Sequence, residues 1–172
     1  MQHGKEEKTS VLAFPTMVTS RLGGETITHC YQCGTCASSC PVARINPQFN
    51  PREIIKLSLL GEKEEVISND TVWLCCSCYN CQERCPQKVE IADVIYAIRN
   101  IAFEEQRSPN IYLEFASALM NNGRIVPISK FVEKKRPDYG LPPLQPTGVQ
   151  ALNKILLAIE FGGSLQKKEE VK

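Results

Sequence analysis

Cys30-Tyr31-Gln32-Cys33-Gly34-Thr35-Cys36-Ala37-Ser38-Ser39-Cys40-Pro41 decides the fold, because its pattern returns as Cys75-Cys76-Ser77-Cys78-Tyr79-Asn80-Cys81-Gln82-Glu83-Arg84-Cys85-Pro86. Both runs keep the spacing C-x2-C-x2-C-x3-C-P. Three thiolates at that interval wrap three corners of one cubane iron–sulfur cluster, while the fourth, set before a proline with no N–H to donate, ligates the other cluster. The spacing therefore assigns Cys30, Cys33, Cys36 and Cys85 to one 4Fe–4S cluster. It assigns Cys75, Cys78, Cys81 and Cys40 to a second.

A zinc site also uses C-x2-C pairs, but a tetrahedral ion is complete with two of them, and a third cysteine plus Cys-Pro is surplus. A disulfide framework fits less well still. The nine cysteines are an odd number, no secretory signal is visible, and cytosolic thiols stay reduced. Cys76 is the thiol outside the pattern. Using it in place of Cys75 would shorten the spacing to C-x-C, so it is expected as a small buried or capped thiol beside the second cluster.

Outward from the two runs, 172 residues suit one domain with extensions. The expected division is an N-terminal extension over 1–25, a two-cluster domain over 26–122, and a proline-rich arm, terminal helix and tail over 123–172. With eight cysteines spent on metal, folding should be coupled to cluster binding. A net charge of +1 argues against a nucleic-acid or anionic-membrane binder. No apolar run reaches the roughly 18 residues that span a bilayer. Oxygen-sensitive clusters without a targeting signal point to the cytoplasm of an anaerobe.

Between the runs, residues 41–74 read as helical rather than as paired strands. Asn50 caps a helix with Pro51 in its first position and Glu53 in its third, and Gly61 stops it. A short acidic helix from Glu62 to Ile67 follows. A compact ferredoxin built on hairpins has no need of such an insertion, so the fold class is mainly α, an α-helical ferredoxin-like domain. Ile91, Val94, Ile95, Ile98, Ile101 and Ala102 recur at helical spacing and predict an amphipathic helix beside the Asn50 helix. Ser108-Pro109 separates it from another, with Tyr112, Phe115, Ala116 and Leu119 on one face and Asn121-Asn122-Gly123 as its end.

The flanks read as irregular. Residues 11–28 are expected as a loosely structured lead-in and 123–146, with five prolines, as an irregular arm. Thr147 is expected to cap a last helix carrying Val149, Leu152, Ile155, Leu156 and Ile159, with Phe161-Gly162-Gly163 as its stop. The first ten residues and Lys167 to Lys172 read as frayed, solvated tails. Lys130, Lys134, Lys135 and Arg136 read as a solvated turn, Trp73 as packing beside the second cluster, and Arg44 and Arg84 as surface cations.

Absent motifs narrow the chemistry. There is no G-x-G-x-x-G, no P-loop and no C-x-x-C-H haem site. His3 and His29 are not placed as catalysts, and a Rieske centre would need histidine in two ligand positions. No catalytic residue is assigned. Two adjacent cubanes suit one-electron transfer, with Gly34, Ala37, Ser38 and Ser77 small enough for the backbone to approach cluster sulfur.

The first run, then N-P-R-E-I-I-K-L, W-L-C-C-S-C-Y-N-C-Q-E-R-C-P, V-E-I-A-D-V-I-Y-A-I-R-N and the late Y-G-L-P-P-L together resemble the iron–sulfur C subunit of the heterodisulfide reductases of methanogenic archaea. The resemblance covers about residues 25–160. It implies a non-catalytic relay between two partners, a flavin-containing subunit on one side and, on the other, the catalytic subunit that reduces the coenzyme M–coenzyme B heterodisulfide in methanogenesis. A hydrogenase or formate dehydrogenase attached through the flavoprotein is implied as electron source. The CCG motifs of the catalytic partner are missing here, which leaves the disulfide chemistry to that partner. Two other readings stay open: the iron–sulfur subunit of a related anaerobic oxidoreductase (thiol-linked fumarate reductase, glycolate or glycerol phosphate dehydrogenase), and a free ferredoxin-like carrier.

Overall fold

The computed structural model describes residues 12–126, 128–145, 147–159 and 161. The expectations for both tails and for the Gly162-Gly163 stop lie outside these residues. Among the described residues there is helix and no strand, as the helical insertion between the cysteine runs requires. The chain divides into two compact units at Arg107–Ser108.

The first unit holds α1 (Ala13–Thr19), α2 (Thr35–Ser39), α3 (Pro41–Ile45), α4 (Pro51–Leu60), α5 (Lys63–Ile67), α6 (Asn80–Glu83) and α7 (Ile91–Glu104), with 3-10 turns at Glu25–His29 and Asp70–Leu74. Its hub is α7, which touches α1, α4, α5, α6 and both turns. The periodicity explains why. Ile91, Val94, Ile95, Ile98, Ile101 and Ala102 are all buried, and each fully buried isoleucine contributes about 1.5–3 kcal/mol. Helix α4 is set by its ends, as its sequence predicts. Asn50 Oδ1 accepts the N–H groups of Arg52 and Glu53 at 3.0 and 3.3 Å, and Gly61 closes the helix at φ 82°.

The lead-in differs from its expectation of loose structure. Phe14 and Val18, one turn apart on α1, and Ile27 on the following turn are buried in the core. A seven-residue helix has too few internal bonds to persist by propensity, and its packing on α4 and α7 supplies the stability. This was hidden in the sequence because the face, Phe14, Val18 and the partly buried Met17, is only one turn long. Arg21 also forks onto Glu104 at 2.8 and 2.5 Å, tying the end of α1 to the end of α7.

Gly24 makes that docking possible. A Cβ there would stand 1.8 Å from the carbonyl oxygen of Val18, and backbone cannot yield as a flexible side chain would. Gly24→Ala is therefore expected to destabilise the chain by about 3 kcal/mol, read as a lower thermal unfolding midpoint of the cluster-loaded protein. An unchanged midpoint would show that α1 shifts freely.

The second unit contains α8 (Asn110–Asn122), α9 (Lys130–Lys135), a 3-10 turn at Pro137–Tyr139 and α10 (Val149–Ala158). Gly123, at φ 65°, ends α8 as expected. The arm is less irregular than its prolines imply, because Ser129 Oγ accepts the Val132 N–H at 3.3 Å and starts α9. Thr147 does not cap α10. Gly148 holds that position without a side-chain bond, and the Thr147 carbonyl accepts the Val149 N–H at 2.8 Å. Helix α10 packs on α8, burying Leu156 and Ala116 while Ile155, Leu157, Ile159 and Phe131 stay exposed. The basic run is solvated: Lys135 meets Asp138 at 3.2 Å, and Arg136 Nε donates to the Pro142 carbonyl at 3.0 Å.

Candidate iron–sulfur centre

The two cysteine runs fold alike. Gln32 and Gly34 in the first, and Ser77 and Tyr79 in the second, have φ of 64°, 84°, 55° and 60°, so both loops place left-handed residues immediately before and after their middle cysteine. Such alternation turns successive backbone N–H groups into a concavity that holds anions, iron–sulfur clusters included. Glycine adopts it freely, whereas Gln32, Ser77 and Tyr79 do so at a cost of order 1 kcal/mol each. The third cysteine of each run sits on a short helix, Cys36 on α2 and Cys81 on α6, and these two helices pack together.

Cys36, Cys40 and Cys81 are buried, Cys30, Cys75 and Cys85 are half-buried, and Cys33 and Cys78 are exposed. Cys40 from the first run and Cys75, Cys78 and Cys81 from the second line one cleft of about 320 Å³, part of it open to solvent, with Phe49 and Ile95 among its apolar walls. On the other side, the Tyr31 hydroxyl bonds to Cys33 and feels the charge of both Cys33 and Cys85. Both Cys-Pro sulfurs accept backbone N–H groups: Cys40 Sγ from Ala43 at 3.5 Å and Cys85 Sγ from Val89 at 3.3 Å. Gln32 Nε2 donates to Cys30 Sγ at 3.4 Å, and Thr35 Oγ1 lies 3.3 Å from Cys33 Sγ.

Burial dominates the electrostatics. It pushes the Cys36 thiol up to about 11, and burial followed by the charge of Cys75 pushes Cys81 to about 12. The Thr35 hydroxyl draws Cys33 down. Without a cation the deeper sulfurs prefer their protons, and a bound metal centre would displace them. Among the described residues no three His, Cys, Asp or Glu side chains converge on a point that could hold a single metal ion. The soft thiol donors, the N–H groups aimed at sulfur and the paired left-handed loops fit iron–sulfur clusters.

Cys76 departs from expectation. It lines the same cleft as Cys75 but is exposed rather than buried, and its pKa is raised by desolvation and by a hydrogen bond with Cys78. His29, Arg44 and Arg84 are surface residues. Trp73 packs against the core.

Sequence reasoning passed over Arg99, which is buried on α7 among apolar positions. Its Nε donates to the Val72 carbonyl at 3.0 Å and one terminal nitrogen to the Cys75 carbonyl at 2.7 Å. The guanidinium lies over the Trp73 and Tyr96 rings, at 5.6 and 5.5 Å. The signal was present: a cation one turn after Ile95, on a face that is otherwise aliphatic. Asp93 was missed too. It accepts from Gln82 Nε2 at 2.9 Å and from the Tyr79 hydroxyl at 3.3 Å, fastening the second loop to α7.

Residues 26–89 match the model of the 4Fe–4S dicluster domain family. The chain is 38% identical over 145 residues to the C subunit of the H(2):CoB-CoM heterodisulfide,ferredoxin reductase of Methanothermobacter marburgensis, covering 81% of this chain and 78% of that protein. Its counterpart in Methanothermobacter thermautotrophicus is 37% identical with the same coverage. The iron-sulfur C subunit of the CoB--CoM heterodisulfide reductase of Methanopyrus kandleri is 38% identical over 69% of this chain and 61% of its own length. With the dicluster match lying over both cysteine loops and the likeness running well beyond them, this chain belongs to the family of heterodisulfide reductase C subunits, which are iron–sulfur proteins.

Proposed function

We propose that the chain is the electron-relay subunit of a heterodisulfide reductase complex, itself without a catalytic site. Cys30, Cys33, Cys36 and Cys85 hold one 4Fe–4S cluster, and Cys75, Cys78, Cys81 and Cys40 the other. The observation that carries the reading is the cleft in which Cys40 joins Cys75, Cys76, Cys78 and Cys81 of the distant run. Bound there, two four-iron clusters would supply one-electron transfer from a flavin-containing subunit to the catalytic one that reduces the coenzyme M–coenzyme B heterodisulfide. The chain's own residues supply sulfur ligands, backbone donors to those sulfurs and an apolar wall.

A permanent complex suits the exposed Phe131, Ile155, Leu157 and Ile159 of the second unit better than a free carrier does, since apolar surface left in water favours lasting association. Among the described residues no helix is long and apolar enough to cross a membrane. The assembly is proposed as cytoplasmic because nine cysteines, eight of them assigned to clusters, need a compartment that keeps cysteine reduced.

Native material prepared without oxygen tests the proposal by sedimentation, mass spectrometry and iron analysis. The expected result is a complex with a flavoprotein and a CCG-motif partner, and about eight irons per copy of this chain, the content of two four-iron cubanes. A lone monomer that serves several unrelated redox enzymes would establish the carrier instead. Copurification with a different dehydrogenase would move the chain to a related oxidoreductase.

A further inference from the structure

Arg99 is a charge in an unusual position. Only 8% of its surface is exposed, and among the described residues its guanidinium forms no ion pair with a carboxylate, the five pairs present all lying elsewhere. A buried cation without an anion is costly. Two carbonyls and two aromatic faces offset part of that cost through hydrogen bonds and cation–π attraction. No carboxylate among the described residues lies within ion-pair distance of it. The proposed ligand set adjoins it, because Arg99 donates to the carbonyl of Cys75, whose side chain lines the cleft with Cys40, Cys78 and Cys81. A second contact runs the same way: Tyr96, beneath the guanidinium, meets Ser77 Oγ through its hydroxyl at 2.7 Å, inside the second loop.

We infer that Arg99 is a potential-setting residue, a buried counter-charge that raises the reduction potential of the cluster held by Cys40, Cys75, Cys78 and Cys81 more than that of the other cluster. The inference rests on the proposed ligand set. Reduction adds one electron to an already anionic group, so a fixed positive charge stabilises the reduced state more than the oxidised one. Arginine keeps its proton throughout, so the step moves an electron and no proton at this residue. At an effective dielectric of about 20, a unit charge about 10 Å from the reducible centre changes its equilibrium about tenfold. Burial also keeps salt from screening it.

The test uses the full chain, loaded with iron and sulfide under anoxic conditions and titrated electrochemically with detection by electron paramagnetic resonance. Iron and sulfide are counted first in the unaltered protein. Fewer than two clusters there would remove the ligand assignment itself, and this inference with it. With two clusters present, Arg99→Met and Arg99→Gln are expected to lower one potential by about tenfold in the reduction equilibrium, about 59 mV for one electron. The potential of the cluster held by Cys30, Cys33, Cys36 and Cys85 moves less. Arg99→Lys, which keeps the charge and loses the fork, stays near the original value, and the differences persist at high salt. In a Cys40→Ala background, where only the other cluster remains, Arg99→Met should give only that smaller shift. Two clusters with unmoved potentials, or a Lys variant shifted as far as Met, would overturn the inference. So would loss of the second cluster in both Met and Gln variants while Lys loads at the original potential, since that outcome marks a purely structural role.

Discussion

A double substitution, Cys36→Ala with Cys40→Ala, is expected to leave no iron–sulfur cluster, whereas Cys36→Ala with Cys85→Ala should leave one. The two pairs differ in one cysteine, and the proposed exchange of ligands makes their outcomes opposite. Cys36 and Cys85 serve the same cube, so removing both costs one cluster, while Cys36 and Cys40 serve different cubes. Iron should fall from about eight per chain to near zero in the first protein and to about four in the second. Were each run to complete its own cluster, the results would be interchanged, with Cys36 and Cys40 sparing the distant cube. The placement of Cys40 in the cleft with Cys75, Cys78 and Cys81 favours exchange. The paired outcomes also separate ligand loss from general damage, because misfolding would empty both proteins alike.

Stripping the metal without oxygen should have the next largest effect. Helices α2 and α6, of five and four residues, are far below the length that is stable alone. Around them three non-glycine residues hold left-handed conformations, each at a cost of order 1 kcal/mol. Ligation to a common centre would offset this cost. Chelation is expected to lower the unfolding midpoint by at least about 10 °C, which is several kcal/mol at about 2–4 °C each. Hydrogen exchange should quicken over residues 30–45 and 75–90. Helices α8 and α10 should keep their protection, because no cysteine lies beyond Cys85. Equal exchange in the loops before and after chelation would refute the coupling.

Much of this was legible in the sequence, and the reasons differ from element to element. The Asn50 cap, Pro51 and Gly61 bound α4 by local chemistry, and the aliphatic period of α7 runs long enough to stand above chance. Helix α1 was not legible, because Phe14, Met17 and Val18 on seven residues are too few to stand out as a period and the docking depends on Gly24, whose importance is a matter of space. Helix α9 was obscured by prolines on both sides of it, although Ser129 was the clue. The ligand spacing pointed to the cysteines themselves. It could not reveal Arg99 or Asp93, which act from α7 and reach the loops only once the chain has folded.

Because the cleft draws Cys40, Val42, Phe49 and Pro51 from one part of the chain and its other walls from residues between Cys75 and Ile95, it is incomplete while the chain is still being made. A ribosome releases the first loop well before the second, and for that interval its sulfurs face the cell without the wall that later covers them. They would then be open to stray ions and oxidants. On the proposed exchange of ligands neither cluster has its full ligand set until both loops have been made, so the order of the two loops along the chain would put cofactor insertion late.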